Sequence, residues 1–164
     1  ERVGARHGLI AYGVEALGAL RIEKGHIAGA EIDGRTTLED LHMERMASKA
    51  KPFVGSVLRQ RAALTSKDRQ RLVGLKPVDR KQRIRPGSVL QPHRGPYQGH
   101  GLGHVTSTTY SPVLGHSIAL GLIQGGEARH GEIVDACYPL KDDTVACEVV
   151  PHHFYDPEGL KQNG

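Results

Sequence analysis

The sequence predicts an α+β fold in which a helical segment precedes an antiparallel β-barrel or sandwich of about six strands. Three observations predict it. Apolar residues recur at helical spacing only in the first 64 residues, and beyond them the period becomes strand-like, in short runs broken by turn residues. The 21 glycines and 9 prolines favour turn-rich β architecture, because glycine supplies positive φ and proline cannot donate to a sheet ladder. No gap in the second half has room for the crossover helix, of about a dozen residues, that a parallel sheet requires.

Between Ala11 and Glu23 the residues Val14, Leu17, Leu20 and Ile22 mostly follow helical spacing, with Gly25 as a stop. His26 to Ile32 is short and semi-apolar, and Asp33-Gly34 signals a turn. Thr36-Thr37 with Glu39 and Asp40 reads as the start of a second, short helix whose acids compensate the dipole. After the break at Lys51–Gly55, Ser56 to Leu64 reads as a third helix, and the polar Thr65–Asp68 stretch is the candidate domain boundary. Six strands follow, at Arg71–Pro77, Ser88–Gln91, Gly101–Thr109, Ser117–Leu122, Glu132–Tyr138 and Thr144–Val150. The last two form a hairpin around Asp142-Asp143.

A chain of 164 residues buries roughly 70% of its unfolded surface, enough for one sound core or two small ones. A hydrophobic fraction of 38% and a charged fraction of 24% are globular and exclude a disordered chain. No stretch nears the roughly 20 apolar residues of a membrane span, and Glu1 to His7 is charged and lacks a leader's apolar core. A cytoplasmic, non-membrane protein is expected. Glu1 opens inside what reads as an ongoing element, whereas the C-terminus reads as a natural end. Cys137 and Cys147 are too few for a disulfide framework and are expected to be reduced and buried. The formal charge of +4 is concentrated between Lys49 and Arg85, where an anion, a partner subunit or nucleic acid would be attracted.

Few constellations carry chemistry. His100 and His104 stand four apart, but the glycines around them disfavour a helix, and in a strand they would lie about 13 Å apart, so no metal site is expected. The run Gly99–Gly103 leads into a strand rather than a helix and reads as a β-turn, not a phosphate loop. Ser111 or Ser117 with His116 supplies nucleophile and base types, but no nucleophile elbow, so no catalytic residue is assigned. Arg21 and Glu23 lie two apart on the first helix and must find separate partners. Either they tie the helix to neighbouring segments or Arg21 faces a ligand. Tyr155 either packs the tail on the barrel or stacks on a ligand.

Ordered motifs then bring a family into view. EALGALRIEKG (15–25), DGRTTLEDLHM (33–43), KPFVGSVL (51–58), RLVGLKP (71–77), GHVTSTTYSPVLGHSIALGLI (103–123) and VVPHHFYDPEG (149–159) occur in the order seen in the C-terminal part of heterotetrameric sarcosine oxidase alpha subunits. The first three also resemble the glycine cleavage T-protein and dimethylglycine dehydrogenase. The resemblance implies that residues 1–66 are the C-terminal end of a folate-binding α+β region and that 67–164 form the six-stranded antiparallel barrel of the aminomethyltransferase superfamily. It also implies an oxidoreductase assembly of one-carbon metabolism, which oxidises sarcosine at a flavin in another subunit and captures the carbon on tetrahydrofolate as 5,10-methylenetetrahydrofolate. FAD, FMN and NAD belong to that assembly outside these residues. Its partners are the other subunits and the upstream part of the alpha chain.

The family's catalytic aspartate and pterin-holding glutamate fall upstream of Glu1. The T-protein's folate-contacting arginine aligns with Leu17 and its C-terminal tyrosine with about Gly159. Arg21 and Tyr155 remain the candidate folate-pocket residues, and the segment alone is expected to be inactive. A T-protein-like aminomethyltransferase or folate-dependent demethylase fragment is the alternative. A non-enzymatic basic binding module is the second alternative, though two phenylalanines and no tryptophan leave few stacking platforms for single strands.

Overall fold

A computed structural model describes residues 1–97 and 99–162. Its centre is a closed barrel of six strands: β1 (Gln70–Pro77), β2 (Val89–Pro92), β3 (Gly103–Ser111), β4 (His116–Gln124), β5 (Ile133–Tyr138) and β6 (Asp143–Val150). The order around the barrel is β1-β4-β3-β2-β5-β6, closing on β1, and every pairing is antiparallel. All six strands begin and end within two residues of the sequence expectation; β3 starts at Gly103 rather than Gly101, because Gly99 and Gly101 take positive φ in the preceding turn. The expected hairpin joins β5 to β6, with left-handed Asp142 (φ 48°) closing it.

The period of two sorts the strands into two cores. Val73 and Leu75 of β1, Ala119 and Ile123 of β4, and Val105, Val134, Val145 and Val149 fill the interior. Leu72, Ile118, Leu120 and Leu122 point the other way and pack with Ile22, Leu41 and Phe154. Both faces of β4 are therefore covered, one by the interior and one by the N-terminal segment and the tail, and the strand is buried from His116 to Ile123. Gly103 lets β3 approach β4, since a Cβ there would lie 2.0 Å from the Leu122 carbonyl oxygen.

The N-terminal segment departs further from expectation. Helix α1 (Val14–Glu23) starts three residues later than the spacing suggests and ends in a Schellman motif: Gly25 N–H donates to Ile22 O (3.0 Å) and His26 N–H to Arg21 O (2.7 Å), with Gly25 at φ 73°. The helix expected after Thr37 is a single turn. His42 takes φ 56° and Met43 N–H closes back on Leu38 O (2.8 Å), which ends the helix before it propagates. The helix expected at 56–64 is split into a 3₁₀ turn (Leu58–Gln60) and α2 (Ala62–Thr65), because Arg61 between them is extended at ψ 140°. No described helix is long and apolar enough to cross a membrane.

Cys137 and Cys147 lie on neighbouring strands but out of register, opposite Thr144 and Val134, and both are free thiols. Cys147 is buried and Cys137 half-buried; burial pushes the Cys147 thiol up to about 12.

Candidate functional site

The C-terminal end of α1 and the tail after β6 enclose a groove of about 310 Å³ that brings the two sequence candidates, Arg21 and Tyr155, together. Leu17, Leu20, Arg21 and Lys24 stand at helical spacing along one stripe of α1 and form one wall. Tyr155, Asp156 and Lys161 of the tail form the other. The spacing that predicts the helix also suggests that Leu17 and Leu20 are core residues, yet both are about half exposed and only Ile22 of the expected apolar stripe is buried.

Buried polar anchors fix this end of α1. Glu31, fully buried, accepts hydrogen bonds from Ser107 Oγ (2.6 Å) and the Ala28 N–H (2.7 Å) and pairs with Arg21 Nη1 at 3.2 Å. Arg21 Nη2 also donates to Ser107 Oγ at 2.7 Å, so the guanidinium is bound to β3 on one side and borders the groove on the other. Burial alone would raise the Glu31 carboxyl; hydrogen bonds from Ser107 and its other donors, with Arg21, outweigh it and hold Glu31 below the usual range. Glu23, two residues on, faces elsewhere and accepts from Ser111 Oγ at 2.5 Å. Arg21 and Glu23 thus tie α1 to β3 through separate partners, as their spacing requires.

The tail is pinned to the same helix end. Phe154 N–H and Tyr155 N–H both donate to Glu23 O, at 2.9 and 3.0 Å, and Lys24 Nζ pairs with Asp156 at 3.4 Å. Phe154 packs on the outer core, so Phe154 anchors the tail and leaves Tyr155 to the groove. The Lys161 ammonium donates to the Tyr155 hydroxyl and lies 4.6 Å from its ring centroid; that hydrogen bond raises the ammonium's pKa. Sequence reasoning missed Lys24, Asp156 and Lys161. The stripe of Leu17, Leu20 and Lys24 around Arg21 was the available signal for Lys24; nothing in the sequence brings the tail across it.

Of the remaining candidates, Ser111 and His116 are register partners across β3 and β4, but their polar groups are turned to other partners. Among the described residues no group of three His, Cys, Asp or Glu side chains is arranged to hold a metal ion. His116 Nδ1 lies 2.8 Å from the Ser117 carbonyl oxygen and Ser111 is engaged by Glu23. In the basic stretch, Arg59, Arg69, Lys76 and Arg85 pair with Glu39, Asp40, Glu148 and Asp143. A larger cleft of about 430 Å³ beside Phe53 and Met46 is apolar, and its charged groups, Glu39 and Arg59, are paired with each other.

The sequence profile of the glycine cleavage T-protein C-terminal barrel domain matches residues 70–156, the barrel and the tail as far as Tyr155 and Asp156. The chain belongs to that family. Around this barrel domain, similarity extends to the N-terminal segment. The chain is 41% identical over 157 residues to a sarcosine oxidase subunit alpha from Rhizobium meliloti (strain 1021), covering 94% of the chain and 16% of that subunit. It is 40% identical over 126 residues to an aminomethyltransferase from Deinococcus deserti, covering 74% of the chain and 30% of that protein. The aminomethyltransferase T of the Bartonella henselae glycine cleavage system superposes with a TM-score of 0.66 at 26% identity, covering 88% of the chain and 39% of that structure. These relatives are enzymes, and the chain spans less than half the length of each.

Proposed function

We propose that the chain is the C-terminal part of a sarcosine oxidase alpha subunit, and that it supports the tetrahydrofolate site where the carbon of oxidised sarcosine is captured as 5,10-methylenetetrahydrofolate. The observation that carries this reading is the 41% identity to an alpha subunit across 94% of the chain, N-terminal segment included. In this reading residues 1–66 complete a folate-binding region and 67–164 are its C-terminal barrel, in an oxidoreductase of the cytoplasm.

The groove fits the edge of a folate site. Leu17, Leu20 and the Tyr155 ring offer an apolar wall to a flat heterocycle, and Lys161 offers positive charge to a carboxylate, Lys24 being paired with Asp156. It lacks a carboxylate free to accept from the amino-pterin edge: Glu23 is buried under Ser111, and Asp156 is engaged by Lys24. Arg21 and Tyr155 therefore act as wall and support. Bound folate would supply the acceptor for the one-carbon unit; this chain's residues would orient one side of it and exclude water there. FAD, FMN and NAD, the other subunits and the catalytic acid belong to the rest of the assembly.

The exposed Leu9, Ile10, Tyr12, Val14, Leu17 and Leu20 support the same reading, as an apolar face that the preceding part of a longer chain covers. A T-protein-like aminomethyltransferase or folate-dependent demethylase is the second reading, favoured by the Deinococcus aminomethyltransferase and the Bartonella structure. The two separate in one experiment. The chain extended N-terminally to the length of the alpha subunits and combined with its partner subunits is expected to convert sarcosine, tetrahydrofolate and oxygen into 5,10-methylenetetrahydrofolate, glycine and hydrogen peroxide. Formation only from an aminomethyl donor, without a flavin subunit, selects the second reading.

A further inference from the structure

Three segments meet at a stack of imidazoles outside the groove. The His152 ring lies parallel to His42 at 5.1 Å (9° between planes) and 3.9 Å from the tilted ring of His153. His42 belongs to the turn before the barrel and is held left-handed, at φ 56°. Its Nε2 is 2.9 Å from Leu72 O, and because a carbonyl only accepts, Nε2 carries the proton. Its Nδ1 then faces Glu127, of the turn after β4, at 3.8 Å. His130, from the loop before β5, faces His152 as well, while Lys24 and His26, at the end of α1, face His153 along with His42. The other side of His152 is closed by backbone: a Cβ on Gly25 would lie 2.5 Å from its carbonyl oxygen.

We propose that this stack is an acid-sensitive latch, in which protonation of the imidazoles releases the tail from α1 and takes Tyr155 away from the groove. The tail depends on few contacts: two N–H donors to Glu23 O, the Lys24–Asp156 pair and Phe154. The barrel, by contrast, is closed by ladders on every strand, so the tail opens first. Docked, His152 cannot easily charge. Burial, and then the neighbouring His153, His42 and His130, push it down to about 3, and burial with Lys24, His26 and His42 lowers His153. Released, both imidazoles return to the ordinary range near 6.5. The latch is therefore at full strength above that range and weakens as pH falls through it toward 3.

The consequence for the groove rests on the functional reading given above; the latch does not. Amide hydrogen exchange of the full chain, corrected for intrinsic rates, tests it without any ligand. Between pH 7.5 and 5.5 the protection of Phe154 and Tyr155 is expected to fall at least about tenfold, the linkage of His152 alone, with His153 adding to it, while β1 and β4 amides hold. His152→Phe keeps a buried ring without a titrating nitrogen and is expected to remove most of that fall. Equal protection at both pH values overturns the latch, as does an undiminished fall in the variant. If the variant's tail is already undocked at pH 7.5, the wild-type His152 ring titration decides: a ring neutral at pH 5.5 in the docked state supports the latch, and one titrating near 6.5 with the tail docked overturns it. Release of the tail with no change in any folate affinity retains the latch and removes Tyr155 from the pocket.

Discussion

The barrel and the segment before it use apolar residues in opposite ways. Strand β4 buries eight consecutive positions, His116 to Ile123, because it has the interior on one face and the N-terminal segment and tail on the other. Helix α1 buries only Ile22 and Glu23, and Val14, the most apolar-looking start of its stripe, is 85% exposed. The segment is attached to the barrel by Ile22 and Leu41 in the outer core and by polar contacts beside it: Arg21 and Glu31 on Ser107, Glu23 on Ser111, and Asp40 on Arg69 and on the Leu72 N–H. The difference teaches that the barrel closes around its own interior but shares a second, outer core with the segment, whose inner edge covers Leu72, Ile118, Leu120 and Leu122 while its outer face stays apolar and exposed.

Substitutions in the two regions are expected to separate accordingly. Leu75→Ala, in the barrel interior, is expected to cost about 2–5 kcal/mol in denaturant unfolding, the range for buried large-to-small changes. A loss as small as that of a surface change would contradict a closed, packed interior.

Smaller effects are expected at the polar anchors. Asp40→Asn keeps size but removes the charge that faces Arg69 Nε at 2.9 Å, and Glu31→Gln does the same for Arg21; each is expected to cost about 1–3 kcal/mol. Both carboxyls sit below the usual range, because hydrogen bonds from Arg69 and Thr37 at Asp40, and from Ser107 at Glu31, outweigh the raising effect of burial. Their stabilisation is full above the ordinary carboxylate range and is lost as pH falls below it. Unfolding midpoints between pH 6 and 3 should therefore drop less in the Asp40→Asn, Glu31→Gln double variant than in the wild type.

The smallest effect marks the exposed face. Leu17→Ser is expected to change stability of this chain by no more than about 0.5 kcal/mol, since the side chain is half exposed, yet, if the proposed function holds, to weaken association with the preceding part of a longer chain. Equal stability loss in both settings would mean that the face is not an interface.

The contrast also explains what the sequence could tell. Strand periodicity, turn glycines and the lack of room for crossovers were enough for six antiparallel strands in a barrel or sandwich, and the family resemblance pointed to the closed barrel, which leaves no strand edge uncovered. The N-terminal helices were less legible. Thr37 and Asp40 do make the reciprocal contacts of a helix start, Thr37 N–H on Asp40 Oδ2 at 2.9 Å and Asp40 N–H on Thr37 Oγ1 at 3.3 Å, but left-handed His42 ends the turn. Leu17 and Leu20 follow the spacing of a buried stripe because a chain encodes its interfaces in the same alphabet as its core. Arg21 and Tyr155 were found as single candidates, but the groove between them exists only because the tail crosses α1 at Gly25, a long-range event with no local signal.

Calorimetric titration of the 164-residue chain with tetrahydrofolate tests the central claim most directly. A supporting barrel with only the edge of a pocket predicts no saturable binding at micromolar concentration, and tight binding once the upstream region is joined to it. Micromolar binding by this chain alone would contradict that account and make the groove of Arg21 and Tyr155 a complete site.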